Sequence, residues 1–233
     1  MCADAHILAV TGLAREARIA SGPGVIAVAG GGDAGALAIL IEEAIANGVA
    51  AIISFGIAGA LDPALEPGAC IVATSIVGEN ACWPVDPAWS HAIERRLPQA
   101  IRADLAGVHH VVADAAAKRA LFASRGAAAV DMESHIAAML AQDHDLPFAA
   151  FRVVADPARR ALPRAAAIAL RKDGSVDILR VVKSLLRSPG ELPLLGRAAL
   201  DAQRAFRALR RGRGRLGDAL CFGDVGQFAR YVL

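Results

Sequence analysis

Aromatic residues are scarce in this chain. One Tyr, two Trp and seven Phe supply only 4% of its 233 residues, although 55% of the sequence is hydrophobic. A core must therefore be packed from Ala, Val, Leu and Ile, and a nucleic-acid surface that interleaves aromatic and basic residues is not expected. Cysteine is sparse as well: Cys2, Cys70, Cys82 and Cys221 make no CxxC pair and have no histidine at ligand spacing. That argues against a zinc site or a disulfide framework and for free thiols in a reducing compartment. No uncharged run approaches the ~20 apolar residues of a membrane-spanning helix, despite a mean hydropathy of +0.44. The N-terminus lacks the basic start of a secretory signal, so a cytoplasmic location is the expectation. Internal repeats and long low-complexity linkers are also missing. The glycine-rich run Gly30-Gly31-Gly32-Asp33-Ala34-Gly35 has neither Walker nor GxGxxG spacing.

What is present fits one α/β domain over 1–233. His6–Val10, Val25–Ala29 and Ala50–Phe55 are short apolar runs that read as buried strands. Asp33 is placed to cap a helix ending near Asn47-Gly48. Asp62–Ala73 reads as a turn and another strand, His109–Asp114 as a further strand and turn, and 77–99 as irregular. Trp83, Pro84, Trp89 and His91 in that region are candidates for a site wall, core packing being the commoner use of Trp. Ser175–Leu186 and Leu194–Leu209 read as amphipathic helices, and the Gly-Arg alternation at 212–215 as a hinge or exposed turn. Net charge is +2, yet from Arg187 onward nine Arg face four acids. Residues 190–233 thus form a basic amphipathic C-terminal extension, either a solvated helical face or a peripheral contact with an anionic membrane surface.

The most informative stretch is Ala129-Val130-Asp131-Met132-Glu133-Ser134. Met132, Ile136, Met139 and Leu140 recur behind it at helical spacing. After Pro147, Phe148–Ala155 is a buried strand that ends in Asp156. Glu133 then sits where a helix leaves one strand, and Asp156 at the carboxyl end of the next, the edge at which parallel sheets bind ligands. Glu133 can alternatively complement the helix dipole, and Asp156 can start the turn before Pro157. Thr11-Gly12-Leu13-Ala14-Arg15-Glu16 brings a third acid to the first turn after another strand, where it can equally be an ordinary N-terminal helix acid.

Val130-Asp131-Met132-Glu133-Ser134 with Arg152-Val153-Val154-Ala155-Asp156 resembles the paired signature of the purine nucleoside phosphorylase and methylthioadenosine nucleosidase superfamily. Gly56-Ile57-Ala58-Gly59-Ala60-Leu61 before Pro67-Gly68-Ala69-Cys70-Ile71-Val72 is similar to its glycine-rich loop. The resemblance, over roughly residues 6–185, implies a three-layer sandwich with a twisted, mixed, mostly parallel sheet flanked by helices. It also implies a homo-oligomer, most often a dimer, acting without a cofactor. Asp156 would protonate the purine and Glu16 would activate water. Glu133, with Val130, Met132, Ile57, Ala58 and Gly59, would hold the nucleoside, and Gly31, Gly56 and Arg152 would surround the nucleophile or an anion. Arg152 can also be a buried ion-pair partner of Glu16.

Two departures bear on the reaction. Ile57 stands where the family has Ser or Thr, and Ser54 where its hexameric phosphorylases carry a phosphate-binding Arg. Hydrolysis is therefore favoured over phosphorolysis, in which phosphate would be co-substrate, bound by Arg152 and the backbone amides of 56–59. The aromatic that normally covers the base is replaced by Ala115-Ala116-Ala117-Lys118. Within the superfamily, Thr11-Gly12-Leu13, Glu16-Ala17-Arg18 and Asp156-Pro157-Ala158 with Leu162-Pro163 resemble the hopanoid-associated phosphorylase branch. That branch is linked to removal of adenine from the lipid-tailed nucleoside adenosylhopane. A non-catalytic nucleotide-binding or membrane-peripheral protein is the alternative of another class.

Overall fold

Strand β1 (Ile7–Thr11) is buried along its whole length. Leu8 and Val10 enter one apolar cluster, Ile7 and Ala9 the other. Alternate residues of a strand face opposite sides, so a strand buried on both faces belongs inside a sheet covered twice. In this computed structural model, which describes residues 6–163, 190 and 192–224, β1 lies between two parallel neighbours, β2 (Val25–Ala29) and β3 (Ala51–Ala60). The sheet continues through β4 (Cys70–Val77), β5 (Cys82–Pro84), β6 (Ile101–Gly107), β7 (Ala129–Asp131) and β8 (Phe148–Asp156). Its order is β2-β1-β3-β7-β6-β4-β5, and β8 pairs with both β3 and β4. The ladders β3–β7, β4–β5 and β4–β8 are antiparallel and the others parallel. Because β8 joins β3 to β4, strands β3, β7, β6, β4 and β8 close into a ring.

Helices α2 (Ala34–Ala46) and α5 (Ser134–Asp143) cover one face through Leu37, Ile41, Ile136 and Leu140. Helices α1 (Ala14–Ala20), α3 (Pro87–Arg96) and α6 (Leu192–Leu216) cover the other, with Ala20, Trp89, Ile93, Phe206 and Leu209 in its cluster. Helix α4 (Ala115–Arg125) closes a smaller cluster against Leu61 and Val130. This is the three-layer α/β arrangement that the motifs implied. No helix of the described residues is long and apolar enough to cross a membrane.

Several elements differ from the sequence reading. Residues 56–60 are not a loop: β3 runs on to Ala60, changing partner from β1 to β7. Residues 77–99 are not irregular throughout, since α3 starts at Pro87, with the Asp86 side chain accepting from the Trp89 amide at 2.7 Å. Proline at the first helical position behind an Asp cap is a favourable start. The strand expected at His109–Asp114 lies earlier, as β6, and 109–114 is a loop. Met139 is 40% exposed and outside the core. The Gly-Arg alternation at 212–215 is neither hinge nor turn but the interior of α6. Gly212 is there for close packing: a Cβ would stand 2.8 Å from the Phe151 ring. The helix expected at Ser175–Leu186 lies outside the described residues.

Candidate active site

Gly59 pairs with Val130 of β7 on one side and with Asp156 of β8 on the other. This single residue brings the two motif blocks together. It differs from the expected pair of parallel neighbours, because β7 runs antiparallel to β3 whereas β8 runs parallel to it. The β1–α1 turn completes the site, and all three acids line one cavity of about 690 Å³. Of the other expected binding residues, Val130, Met132, Ile57, Ala58 and Gly59 also line it. Gly31, Gly56 and Arg152 are not in its wall.

Glu16 is the third residue of α1 and is fully enclosed. Its Oε2 accepts from the amides of Gly12 at 2.9 Å and Leu13 at 2.7 Å, and its Oε1 from the amide of Ile57 at 2.7 Å. Those three bonds fix the carboxyl group while leaving lone-pair capacity on Oε1. Burial raises its pKa above the usual carboxylate value, while Arg152 and the three amides pull it down. The Ile57 amide, expected to help cradle an anion, is thus committed to Glu16. Gly31 has φ +58° and its amide donates to Gly12 O at 3.0 Å, bracing the same turn.

Asp131 explains why Glu133 is available. Asp131 Oδ1 accepts from the amides of Glu133 and Ser134 at 3.0 and 2.7 Å, capping the start of α5. Glu133 is released from that task and turns inward, its Oε2 3.4 Å from the Arg152 guanidinium. Burial pushes its pKa up to about 7; Arg152 opposes the rise, and Asp131 and Glu16 add to it. The β1 turn passes close by, since a Cβ on Gly12 would stand 2.7 Å from Glu133 Oε1.

Arg152 has a fully buried side chain and serves this whole acidic group. Nε lies 3.1 Å from Asp131 Oδ2, and one terminal nitrogen donates to Ser54 Oγ at 2.6 Å. The other donates to Ile57 O at 3.3 Å. Burial works against its charge, but Asp131, Glu133 and Glu16 outweigh that and raise its pKa. Glu16 attracts Arg152 without a contact ion pair. Gly56 separates them, and a Cβ there would meet Glu16 Oε1 at 2.6 Å and an Arg152 nitrogen at 2.7 Å.

Asp156 ends β8 and accepts a hydrogen bond from Lys118 through Oδ2. Burial raises its pKa, against the pull of Lys118 and Arg160. Trp83, Trp89 and His91 do not line the cavity. Trp89 is buried in the core with its indole N–H donating to Leu220 O at 2.8 Å. In their place stand Val111 and Val112 from the loop before α4, residues 160–163, and Leu194, Leu195, Ala198, Ala199, Ala202 and Phe206 of α6. Phe206 carries the Arg15 guanidinium 4.0 Å above its ring.

Sequence reasoning missed Lys118, Arg160 and Asp201, since each acts through a partner 38–42 residues away. One signal was legible: Asp201 is the lone acid of a helix rich in arginine.

Comparison with known proteins agrees with this architecture. No curated protein matches the sequence significantly. A 5′-methylthioadenosine/S-adenosylhomocysteine nucleosidase of Helicobacter pylori superposes with a TM-score of 0.63 at 15% identity, covering 89% of this chain and 97% of that one. A putative methylthioadenosine nucleosidase from Weissella paramesenteroides gives 0.58 at 19% identity, with 88% and 97% covered. Futalosine hydrolase of Helicobacter pylori gives 0.59 at 15% identity, with 79% and 98% covered. At these identities the likeness speaks for the fold. The sequence profile of the phosphorylase superfamily matches residues 11–187, and with the motif-bearing strand ends joined at Gly59, the chain belongs to that superfamily.

Proposed function

We propose that the protein hydrolyses the N-glycosidic bond of an adenine nucleoside. The observation that carries this reading is the convergence of Glu16, Glu133 and Asp156 on one cavity. In the reaction the C1′–N9 bond breaks and its electron pair leaves with the purine. Asp156, protonated, gives its proton to N7 of the departing base. Water adds to C1′ and its proton goes to Glu16. Glu133 accepts hydrogen bonds from the ribose 2′- and 3′-hydroxyls and favours the positive charge that develops on the sugar.

Water is favoured over phosphate as nucleophile on electrostatic grounds. Glu16, Glu133 and Asp131 surround one guanidinium, so its charge is already engaged and has little left to offer an incoming phosphate. The Ile57 side chain offers it no donor, and the buried Ser54 hydroxyl is already engaged, accepting from Arg152 and bonded to Ser134 Oγ at 2.8 Å.

The substrate we infer carries an apolar 5′ substituent, with adenosylhopane the first candidate. The aliphatic wall from α6, together with Leu13, Leu162 and Pro163, supports a hydrocarbon-bearing ligand. The outward face of α6, with Arg197, Arg207, Arg210, Arg211 and Arg215, suits a peripheral encounter with anionic headgroups. A homodimer working in the cytoplasm completes the proposal.

The test is adenine release from adenosylhopane and from methylthioadenosine, with and without phosphate, the sugar product being identified by mass. A free ribosyl product without phosphate is expected. Strict phosphate dependence with a phosphorylated sugar would replace hydrolysis by phosphorolysis, and no adenine from either substrate would sink the nucleosidase reading.

A further inference from the structure

Helix α4 buries one residue, and that residue is a lysine. Lysine is almost never fully buried unless paired, and Lys118 has no exposed surface. Its ammonium has three protons and three acceptors: Asp156 Oδ2, Pro157 O at 3.2 Å and Arg160 O at 3.1 Å. Asp114 caps α4 through the amides of Ala116 and Ala117, at 2.5 and 3.2 Å, and so fixes the turn from which Lys118 departs. The acceptors belong to the end of β8 and the loop after it. That loop is also tied by the Leu162 amide to Ala113 O at 2.8 Å, and by Arg160 to Asp201 of α6. Among the described residues Asp156 Oδ1 accepts no hydrogen bond, and the Asp156 side chain is 20% exposed within the cavity wall.

We infer that Lys118 is a positioning residue for glycosidic cleavage. It pins Asp156 by Oδ2 so that Oδ1 meets the purine N7, and it balances the negative charge left on Asp156 once the proton has gone to the base. The inference rests on the proposed role of Asp156 as the acid. The groups facing Asp156 are Lys118 from α4, Arg160 from the loop and Asp201 from α6. Among the charged groups of the described residues Lys118 alone touches it, so Lys118 governs when the acid gives up its proton. Transfer from Asp156 to N7 then creates a carboxylate beside an ammonium whose protons are already aligned, with no reorganisation at the moment of reaction.

The test combines carboxyl ¹³C NMR titration of Asp156, its resonance identified by loss in D156N, with pH profiles of kcat/KM for wild type, K118M and K118R. An opposite charge in contact shifts a carboxyl by about 1–3 pH units. The Asp156 midpoint and the alkaline limb of activity should therefore both rise by that amount in K118M and stay near wild type in K118R. Loss of alignment should also lower kcat in K118M by ~10²-fold. Identical midpoints in wild type and K118M would overturn the inference. Should K118M not fold, the wild type suffices: the chain has three lysines, and the ¹⁵Nζ signal of Lys118, identified by its absence in K118R, must follow the Asp156 midpoint. A Lys118 signal that ignores that titration overturns the inference too. A displaced midpoint in a protein that cleaves no nucleoside would support the Lys118–Asp156 pairing and count against the nucleosidase reading instead.

Discussion

Replacing Glu133 by glutamine should make the protein more stable at pH 8 while crippling it. In the fold the Glu133 carboxyl holds its proton up to about pH 7, against an ordinary 4.5. Between those values the native state binds a proton that the unfolded chain has released. The stability linked to that proton is complete below pH 4.5 and is lost as pH rises through 7. At ~1.4 kcal/mol per pH unit, ionising Glu133 in place costs the fold about 3 kcal/mol. Glutamine keeps the shape and never ionises, and Arg152 retains Asp131 at 3.1 Å. The stability difference between E133Q and wild type should therefore widen by about 2–3 kcal/mol from pH 5 to pH 8, in favour of E133Q. Neighbouring Asp131 and Glu16 feed into the same macroscopic titration, so the comparison is made between the two proteins at each pH. Urea unfolding followed by circular dichroism at pH 5, 6.5 and 8 measures it. Adenine release by E133Q should meanwhile fall ~10²-fold or more, as for loss of a group aimed at transition-state charge. A difference that stays constant across the pH range would refute the reasoning, because it would mean that Glu133 is ionised in the fold throughout.

Other outcomes are equally specific. D156N should lower kcat for adenine release by ~10²–10⁴-fold, measured by coupled assay at the pH optimum, while remaining folded because the amide oxygen can still accept from Lys118. R152M leaves buried carboxyls without their cation and should cost about 3–5 kcal/mol at neutral pH, with the loss shrinking as acid protonates Glu16 and Glu133, whose folded pKa values are raised; melting curves at pH 5 and 8 check the sign. G56A forces a methyl group between Glu16 and Arg152 and should destabilise by about 1–3 kcal/mol, with activity falling further than stability. A202L fills the α6 side of the cavity; its KM should rise steeply for a long apolar 5′ substituent and little for methylthioadenosine, as steady-state kinetics on the two would report.

The strand–helix–strand unit around Glu133 and Asp156 could be read directly because Ile136 and Leu140 keep helical spacing and Phe148–Ala155 is one largely apolar run, even though Met139 turned out to face outward. β1 and β2 were legible for the same reason. The stretch 77–114 was not: β5 has three residues, and β6 interrupts its pattern with Arg102 and Asp104. Asp104 is in fact occupied across the sheet, accepting from Thr74 and Ser75 at 2.5 and 2.7 Å. Gly-Arg repeats at 212–215 look like a break by propensity, and only the approach of Phe151 shows why glycine sits inside a helix. At the site, local sequence presented the acids but not their partners. That Asp131 caps α5 and frees Glu133 is a local contact that the spacing of two acids did not by itself reveal, whereas Lys118 meets Asp156 only when segments 38 residues apart fold together.

Helix α6 begins at Leu192, beyond the 11–187 stretch shared with the superfamily, yet it supplies one whole wall of the cavity. On the proposed reading, the groups that break the bond lie inside that shared stretch, while most of the surface that would face a substrate's tail lies outside it. Ala198, Ala199 and Ala202 set how much room remains, and none of them touches Glu16, Glu133 or Asp156 through a hydrogen bond or ion pair. Substrate range can then drift, or be redesigned, by trading one helix face while the strand ends stay fixed. On the proposed reading, selectivity would be an exchangeable part fitted to an unchanging engine.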